Sequence, residues 1–424
     1  MSLLQRHIAP KTSEITKFEI IEAQTHQLSN GIKLFSIDAG TEEVIRIEWL
    51  IRAGASYQEK ILTASTLSKI LKEGTAKMNS SQINELLDFH GASLSASATA
   101  EHIVVVLYSL TKHLDTLLPL VKDILTNATL PENELSLAMQ KSISLLNINN
   151  NKNSFVARNM LDKYIYGNHN PYGYYPEGDD FSKVKRANIV SYYNEQFTKQ
   201  AWDIIASGKL SKSTLNLIKH TFKDVSFENI KPKRLKTEFS LHKQKQTLIK
   251  KPDSKQASIA IGMRTIKRNE PEYPGFSLLN TVLGGYFGSR LMQNIREDKG
   301  YTYGVYSVLK SMTMSGQWGI YTDVGIDVYE SALNEIYIEI ERLKKEHISL
   351  EELHLVKNYI AGTFLSSIDG PFALANKFKS IYLFDLDYSY FDRFLSDIKN
   401  ITPKKLNALA NKYLDNSYHQ VVVA

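Results

Sequence analysis

The amino-acid sequence predicts an α+β fold of two homologous domains, each a mostly antiparallel β-sheet with helices packed on one face. The first observation is length, because 424 residues exceed one compact domain and suit two domains of about 200 residues each. The second is that several segments of the first half have counterparts in the second half. The third is the order of elements, since neighbouring strands followed by paired helices are typical of α+β layers.

Each half contains a predicted strand that leads into a helix. In the first half this strand is IRIEWLIRAGA (Ile45–Ala55), which alternates in polarity and is rich in β-branched residues. ASIAIGMRTI (Ala257–Ile266) has the same character in the second half. We therefore expect equivalent strands at the two positions.

In each half an amphipathic helix ends in a short turn and a second helix follows, from Leu114 and from Ala332. The turns match in position, with PENEL from Pro131 against SLEEL from Ser349. Ser349 and Glu352 predict a capping box at the start of the second helix. Both halves also end with a helix and an apolar strand. A repeat of this length predicts two similar domains and not a solenoid.

We expect the domains at residues 1–226 and 247–424, with a basic linker at residues 227–246. Between Lys231 and Lys251 there are eight basic residues and one acid, whereas the whole chain carries a net charge of +6. Because the charge is confined to one segment, a solvated connection is the favoured interpretation. Attraction of an acidic partner or peptide is the alternative. Nucleic-acid binding is not expected, since the basic residues do not form a folded face with aromatic residues.

Composition narrows the class of protein. A hydrophobic content of 43% with 23% charged residues predicts a packed soluble protein. No apolar run approaches the ~18 residues that span a membrane, and the start lacks the apolar core of a signal peptide. We therefore expect a cytoplasmic protein, with the periplasm as the remaining possibility. The chain has no cysteine, which excludes disulfides and thiolate metal sites.

No motif describes a complete active site by itself. None of the eleven histidines lies four residues from another, so no helix presents a histidine pair to zinc. His347 and His354 are the closest pair, but the predicted capping box leaves His347 in a turn. Neither a P-loop nor a G-x-S-x-G motif is present.

One local cluster could carry chemistry, in LGGYFGSRLMQNIREDKGYTYGVYSVL from Leu283. A glycine-rich turn leads into a predicted helix, Gly300 closes the helix, and an alternating strand follows. This arrangement could bring the Arg296 guanidinium and the Tyr303 phenol together to hold a carbonyl or an oxyanion. Spacing alone favours a structural interpretation, in which Arg296 stabilises its helix dipole and Tyr303 packs on the sheet.

The cluster resembles the pitrilysin/insulinase-like zinc metallopeptidases, specifically the short two-domain members related to mitochondrial processing peptidase subunits. The resemblance covers nearly the whole chain. Its most specific part is GGYFGSRLMQNIREDKGYTYGVYS, with the glycine-rich turn, S-R-L, L-R-E-x-x-G (Ile295 replaces the leucine) and an Arg/Tyr pair seven residues apart. The resemblance implies that Arg296 and Tyr303 contact substrate.

The same resemblance implies a role for the glycines of the turn. Gly284, Gly285 and Gly288 would let the backbone of a bound peptide approach closely.

The metal motif of this family, His-x-x-Glu-His, is replaced in this sequence. In the family the last histidine of this motif lies five residues before the glycine of a Gly-Thr, which here is Gly74-Thr75. This spacing aligns Ser65 and Lys69 with the two histidines and Ser68 with the catalytic glutamate. Gln140 is the predicted counterpart of the third ligand. Zinc requires three strong nitrogen or oxygen donors, so we expect no metal in this chain.

These features imply a zinc-free, non-catalytic subunit of a heterodimeric zinc metallopeptidase that cleaves peptides. A homologous zinc-bearing subunit would supply the cofactor, and Arg296 and Tyr303 would support its site. Extended peptide substrates would add to a sheet edge. This chain is expected to be inactive alone.

Two alternatives stay open. The chain could be a peptide-binding or scaffold homodimer without proteolytic activity, although the retained Arg/Tyr pair favours the first hypothesis. An active peptidase with an unrecognised site is disfavoured by the missing histidine spacing.

Overall fold

A computed structural model describes residues 18–228, 232–235, 238–415 and 417–424. The first half contains six strands and eight α-helices within these residues: β1 (Gln24–Gln27), β2 (Lys33–Asp38), β3 (Val44–Ile51), α1 (Thr63–Ile70), α2 (Ser80–Phe89), β4 (Ser93–Ala98), β5 (Ile103–Leu110), α3 (Leu114–Asn127), α4 (Glu132–Asn150), α5 (Asn153–Tyr166), α6 (Gly178–Ser182), α7 (Arg186–Tyr192), β6 (Asp203–Gly208) and α8 (Lys212–Phe222).

The second half repeats the plan with five strands and six α-helices in the described residues: β7 (Gln246–Ile249), β8 (Gln256–Thr265), α9 (Tyr273–Asn280), β9 (Thr302–Ser311), β10 (Gly316–Gly325), α10 (Tyr329–Lys345), α11 (Leu350–Ser366), α12 (Pro371–Tyr382), α13 (Ser389–Asn400), α14 (Pro403–Tyr413) and β11 (His419–Val423). No helix in this part of the chain is both long and apolar enough to cross a membrane.

The two sheets have the same topology, which confirms the predicted α+β duplication. The first sheet has the order β1-β2-β6-β3-β5-β4 and the second has the order β7-β11-β8-β10-β9. In each sheet one pair is parallel, β2 with β6 and β7 with β11, and the other neighbours are antiparallel. Strand β1 is an addition to the first sheet. Strands β4 and β9 therefore occupy equivalent edges.

One face of each sheet packs on helices of its own half. In β3, the alternate residues Ile45, Ile47 and Trp49 are fully buried in a core shared with α1 and α3. The equivalent face of the second sheet includes Ile261 and Trp318, which pack in a core that includes residues of α10 and α14. Alternation places every second side chain on the same face, so each strand supplies one set to this core.

The other face of each sheet is covered by a helix from the opposite half. Leu161 and Ile165 of α5 form a cluster with Ala260 of β8 and Val421 of β11. Reciprocally, α12 packs on the first sheet. The sheet and the helix together form a buried cluster of Phe35, Ile37, Leu50, Ile205, Leu374, Ala375 and Phe378. The prediction of helices on one face was therefore incomplete. Strands buried on both faces need a second helical layer, and exchange of α5 and α12 provides it.

Polar contacts accompany this exchange. Arg46 and Glu48 of β3 form an ion pair at 2.7 Å, and the Glu48 carboxylate also accepts a hydrogen bond from the Lys379 ammonium of α12. On the second sheet, the Gln317 amide donates to the Asp162 carboxylate of α5 at 2.5 Å. Because unpaired buried charges are costly, these contacts favour a single arrangement of the two halves.

The described part of the basic linker packs against α5. The Ser240 amide donates to the Tyr166 carbonyl at 3.2 Å, and the His242 amide donates to the Tyr164 carbonyl at 3.0 Å. Lys231 and Lys236 of the predicted basic stretch lie outside the described residues. The domain limits at 226 and 247 stay a prediction.

The predicted capping box at α11 forms in part. The Glu352 amide donates to the Ser349 hydroxyl at 3.1 Å, as expected for an N-cap. The Glu352 carboxylate does not complete the box, because it accepts two hydrogen bonds from the Arg290 guanidinium, both at 2.9 Å. Tertiary contact with the segment that precedes β9 thus replaces the local bond.

Candidate functional site

The predicted helix–turn–strand that carries Arg296 and Tyr303 is present. Residues Met292–Asp298 form a π-helical segment. This geometry is rare in proteins, and where it occurs it is often found at functional sites. Gly300 adopts a left-handed backbone with φ of 67°, and its amide donates to the Arg296 carbonyl at 3.2 Å. This ends the helix as the sequence predicts, because glycine takes that conformation without a Cβ clash. Strand β9 then begins at Thr302.

The Arg296 guanidinium lies at the surface with one aromatic neighbour. Its Cζ lies 4.6 Å from the centre of the Phe287 ring, and its Nη1 lies 3.5 Å from Glu297 Oε1. The side chain is 33% exposed, while Phe287 itself is 67% exposed. The cation is thus held over a ring and still reaches solvent, where it can bind a carbonyl or a carboxylate.

Tyr303 projects into solvent at the start of β9. It is 93% exposed, and its hydroxyl has no hydrogen-bond partner in the part of the chain that the structure describes. The structural interpretation, in which this ring packs on the sheet, is therefore wrong. An exposed phenol contributes little to stability, and its hydroxyl can both donate and accept a hydrogen bond.

The three glycines of the turn differ in environment. Gly284 is buried, and a Cβ there would lie 2.7 Å from the Ser307 amide nitrogen of β9. Glycine is thus required at 284 for close packing of the turn on the strand. Gly285 and Gly288 are exposed, and close approach of a peptide backbone to them stays a prediction.

An open strand edge adjoins the cluster. Among the described strands β9 pairs only with β10, so its outer edge has no strand partner. Part of this edge is covered by the preceding segment, since the Val305 amide donates to the Met292 sulfur at 3.4 Å and the Ser307 carbonyl accepts from the Asn280 side chain at 3.4 Å. The Tyr286 ring contacts the Tyr359 ring of α11 in a tilted arrangement, with ring centres 4.8 Å apart. A strand edge without a strand partner is the kind of surface to which an extended peptide can add.

The residues that the resemblance aligns with the metal motif lie on α1, where their side chains form hydrogen bonds with other protein groups. The Ser65 hydroxyl donates to the Leu62 carbonyl at 3.0 Å, and the Ser68 hydroxyl donates to the Ser65 carbonyl at 2.9 Å. The Lys69 ammonium donates to the Ser142 hydroxyl of α4 at 2.7 Å. Serine hydroxyls and a lysine ammonium do not form a zinc site, so these residues do not fit the metal.

The structure brings Ser142 and not Gln140 to Lys69. Ser142 is buried, whereas Gln140 lies on the exposed side of α4. Residues two apart on a helix face different directions, so the side chain opposite Lys69 belongs to position 142. Across the described residues, no group of three histidine, aspartate or glutamate side chains could hold a metal ion.

Lys69 does not pair with the carboxylate one helical turn away. The Glu73 carboxylate, one turn away, accepts a hydrogen bond from the Ser80 hydroxyl instead of pairing with Lys69. Burial lowers the pKa of the Lys69 ammonium below its ordinary value. The lysine thus connects α1 to α4, the two helices that hold the replaced positions.

A histidine pair that the sequence spacing does not reveal lies on the first domain. His90, at the end of α2, and His113, just before α3, place their Nδ1 atoms 3.2 Å apart. They are separated by 23 positions in the chain, so no local pattern predicts the contact.

Comparisons with known proteins agree with the two-domain organisation. Residues 35–171 match the family model described as Insulinase (Peptidase family M16), and residues 183–360 match the model described as Peptidase M16 inactive domain. The uncharacterized zinc protease YmxG of Bacillus subtilis is 23% identical over 399 residues, or 93% of this chain and 96% of that protein. The two models together span most of both halves.

A further related sequence and a solved structure also match nearly the whole chain. The non-peptidase homolog YmxG of Helicobacter pylori is 20% identical over 370 residues, or 85% of this chain and 84% of that protein. The crystal structure of a peptidase M16 inactive domain from Pseudomonas fluorescens aligns with a TM-score of 0.84 at 23% identity, over 95% of this chain and 98% of that chain. This structural likeness shows that the fold is shared.

Proposed function

The chain belongs to the M16, or insulinase, family of peptidases, and from that premise we propose that it is a zinc-free subunit of a heterodimeric metallopeptidase. A homologous zinc-bearing subunit would be its partner, and extended peptides would be the substrates. This chain would supply binding contacts to the joint site and would cleave no peptide alone.

One observation carries the proposal. Arg296 and Tyr303, for which the resemblance implies substrate contact, reach the surface, with Tyr303 at 93% exposure, while the resemblance aligns Ser65 and Lys69 with metal ligands. Two exposed hydrogen-bond donors near the β9 edge suit binding of a peptide carbonyl, which supports a role in peptide hydrolysis with a partner.

The chemistry assigned to this chain is electrostatic. The partner would bring zinc and its activated water. The Arg296 guanidinium and the Tyr303 hydroxyl would donate hydrogen bonds to the carbonyl of the bond that is cleaved. These donors would bind the oxygen more strongly as negative charge develops on it, which lowers the barrier. The β9 edge would hold the peptide backbone in register.

Reconstitution tests the proposal. The homologous chain with an intact His-x-x-Glu-His would be sought in the same genome and purified. We expect it to co-elute with this protein and to cleave a mixture of extended peptides only when both chains are present. A zinc-bearing chain that is fully active alone, or no such chain in the genome, would refute the heterodimer.

A second function is favoured by one comparison. Since a relative in Helicobacter pylori is described as a non-peptidase homolog, a peptide-binding or scaffold homodimer without proteolytic activity is the alternative. Light scattering separates the two proposals, because the alternative predicts a stable dimer of this chain that no zinc-bearing chain displaces. We propose the cytoplasm as the compartment, which fractionation of the native cell would test.

A further inference from the structure

The Lys69 side chain is fixed in place between two helices. Its Nζ donates to the Ser142 hydroxyl at 2.7 Å, and that hydroxyl in turn donates to the Ala138 carbonyl at 2.6 Å within α4. Ser142 is buried. Lys69 is exposed as a residue, but this hydrogen bond to a buried partner gives its ammonium a defined position.

This cation has no counter-charge among the described residues. Lys69 forms no ion pair in residues 18–228, 232–235, 238–415 or 417–424, and the Glu73 carboxylate is bound to Ser80. A partly desolvated ammonium with no opposite charge is stabilised by any anion that can reach it.

The side chain that Lys69 contacts is a hydroxyl and not an acid. Ser65 and Ser68 lie on the same helix as Lys69, and Ser142 lies opposite. One lysine supplies a single point charge and no planar fork. A monoanionic carboxylate matches it better than phosphate, which is usually bound by several donors or by arginine.

An open strand edge adjoins this helix as well. Strand β4 is the outer strand of its sheet among the described strands, and its Leu94 packs in the same core as Leu67 of α1. By the internal duplication, β4 takes the position that β9 has in the second half.

We infer that Lys69, held by Ser142, is a carboxylate-binding site that captures the free C-terminus of an extended peptide. The site binds the peptide carboxylate non-covalently, and no covalent bond is made or broken. This inference concerns the isolated chain and does not rest on the heterodimer, so either can fail alone.

Peptide binding to the purified chain tests it. A fluorescent seven-residue peptide would be titrated once with a free C-terminal carboxylate and once as the amide. We expect the acid to bind about tenfold more tightly, since one charge-assisted hydrogen bond contributes about that factor. Acetate should compete with the acid more strongly than inorganic phosphate at equal ionic strength.

Matched variants locate the site. Lys69→Met should abolish the preference for the peptide with a free carboxylate. Lys72→Met is the control and should keep that preference, because the Lys72 ammonium donates to Asn84 at 3.1 Å and not to Ser142. If Lys69→Met does not fold, Lys69→Gln removes the charge and keeps a donor for Ser142. Equal binding of acid and amide, or a preference that survives loss of the charge, would overturn the inference. Stronger competition by phosphate would overturn the choice of a carboxylate.

Discussion

The exposed phenol of Tyr303 gives the sharpest test at the scale of a single residue. Tyr303→Phe removes only a hydroxyl that has no partner in the described residues. We expect the melting temperature and assembly to be unchanged and the joint peptidase turnover to fall ~100- to 1000-fold, as for loss of one oxyanion donor. Cleavage by the mixed subunits would be followed beside thermal unfolding.

The control for this variant lies on the same strand. Tyr306→Phe changes a ring whose centre lies 5.8 Å from that of Tyr321, and it should leave turnover intact. Arg296→Ala should also lower turnover, with a slight loss of stability because its stacking on Phe287 is removed. Wild-type cleavage by an assembled Tyr303→Phe complex would exclude the proposed role.

The replaced metal positions lead to a second prediction. The purified chain should bind no stoichiometric zinc through Ser65, Ser68 and Lys69, because these residues offer no strong neutral-pH donor. Ser65→His, Ser68→Glu and Lys69→His together should give weak zinc binding, measured by elemental analysis after dialysis.

The third ligand distinguishes two positions on α4. Ser142→Glu should raise the zinc affinity of the triple variant more than Gln140→Glu, since Ser142 contacts Lys69 and Gln140 is exposed. An equal or larger gain from Gln140→Glu would show that the alignment at 140 is the correct one.

His102, at the contact between the halves, predicts a dependence of stability on pH. Burial lowers the pKa of His102 to about 4, against its ordinary value of 6.5, and outweighs the opposing attraction of Glu101. The unfolded chain therefore binds more protons between these values, so stability is greatest above pH 6.5 and falls as the pH drops toward 4. The loss is at most about 3 kcal/mol.

Thermal unfolding at several pH values checks this. His102→Gln should show a smaller fall in melting temperature between pH 7 and pH 4 than the wild type. The matched change His354→Gln, at an exposed ring that contacts Asn358, should not. Identical curves for wild type and His102→Gln would contradict the assignment.

At the scale of elements, the exchanged helices α5 and α12 determine stability. Leu161 of α5 is fully buried against the sheet of the other half. Leu161→Ala should lower the free energy of unfolding by about 2–5 kcal/mol, the usual cost of truncating a buried leucine. Leu137→Ala, on α4 at 44% exposure, is the control and should cost less than about 1 kcal/mol. Denaturant titration of both variants would show whether α5 is part of the second core.

At the scale of the whole molecule, the exchange makes each half incomplete alone. Residues 1–226 would lack α12 and expose Phe35, Ile37 and Leu50, while residues 247–424 would lack α5. We expect each fragment to aggregate when expressed alone, because a large apolar sheet face is uncovered. Co-expression should give a folded complex of the two fragments, seen by size-exclusion chromatography. A folded monomer of either fragment would show that the exchanged helix is dispensable.

Several features were predictable from the sequence because they depend on local pattern. The duplication, the strand and helix pairs and the Gly300 helix end follow from periodicity and from the one residue type that tolerates a left-handed backbone. The assignments of Ser65, Ser68 and Lys69 to metal positions and of Arg296 and Tyr303 to substrate contact rest on the family resemblance and stay predictions.

Other features depended on the tertiary structure. Periodicity shows that a face is apolar, but it does not show which element covers it, so the exchange of α5 and α12 was not predicted. The Lys69–Ser142 bond, the diversion of Glu352 to Arg290 and the His90–His113 contact join residues distant in sequence. Such contacts are selected by the packing of the whole chain, where a tertiary partner outcompetes a local one whenever it buries more surface or pairs a charge.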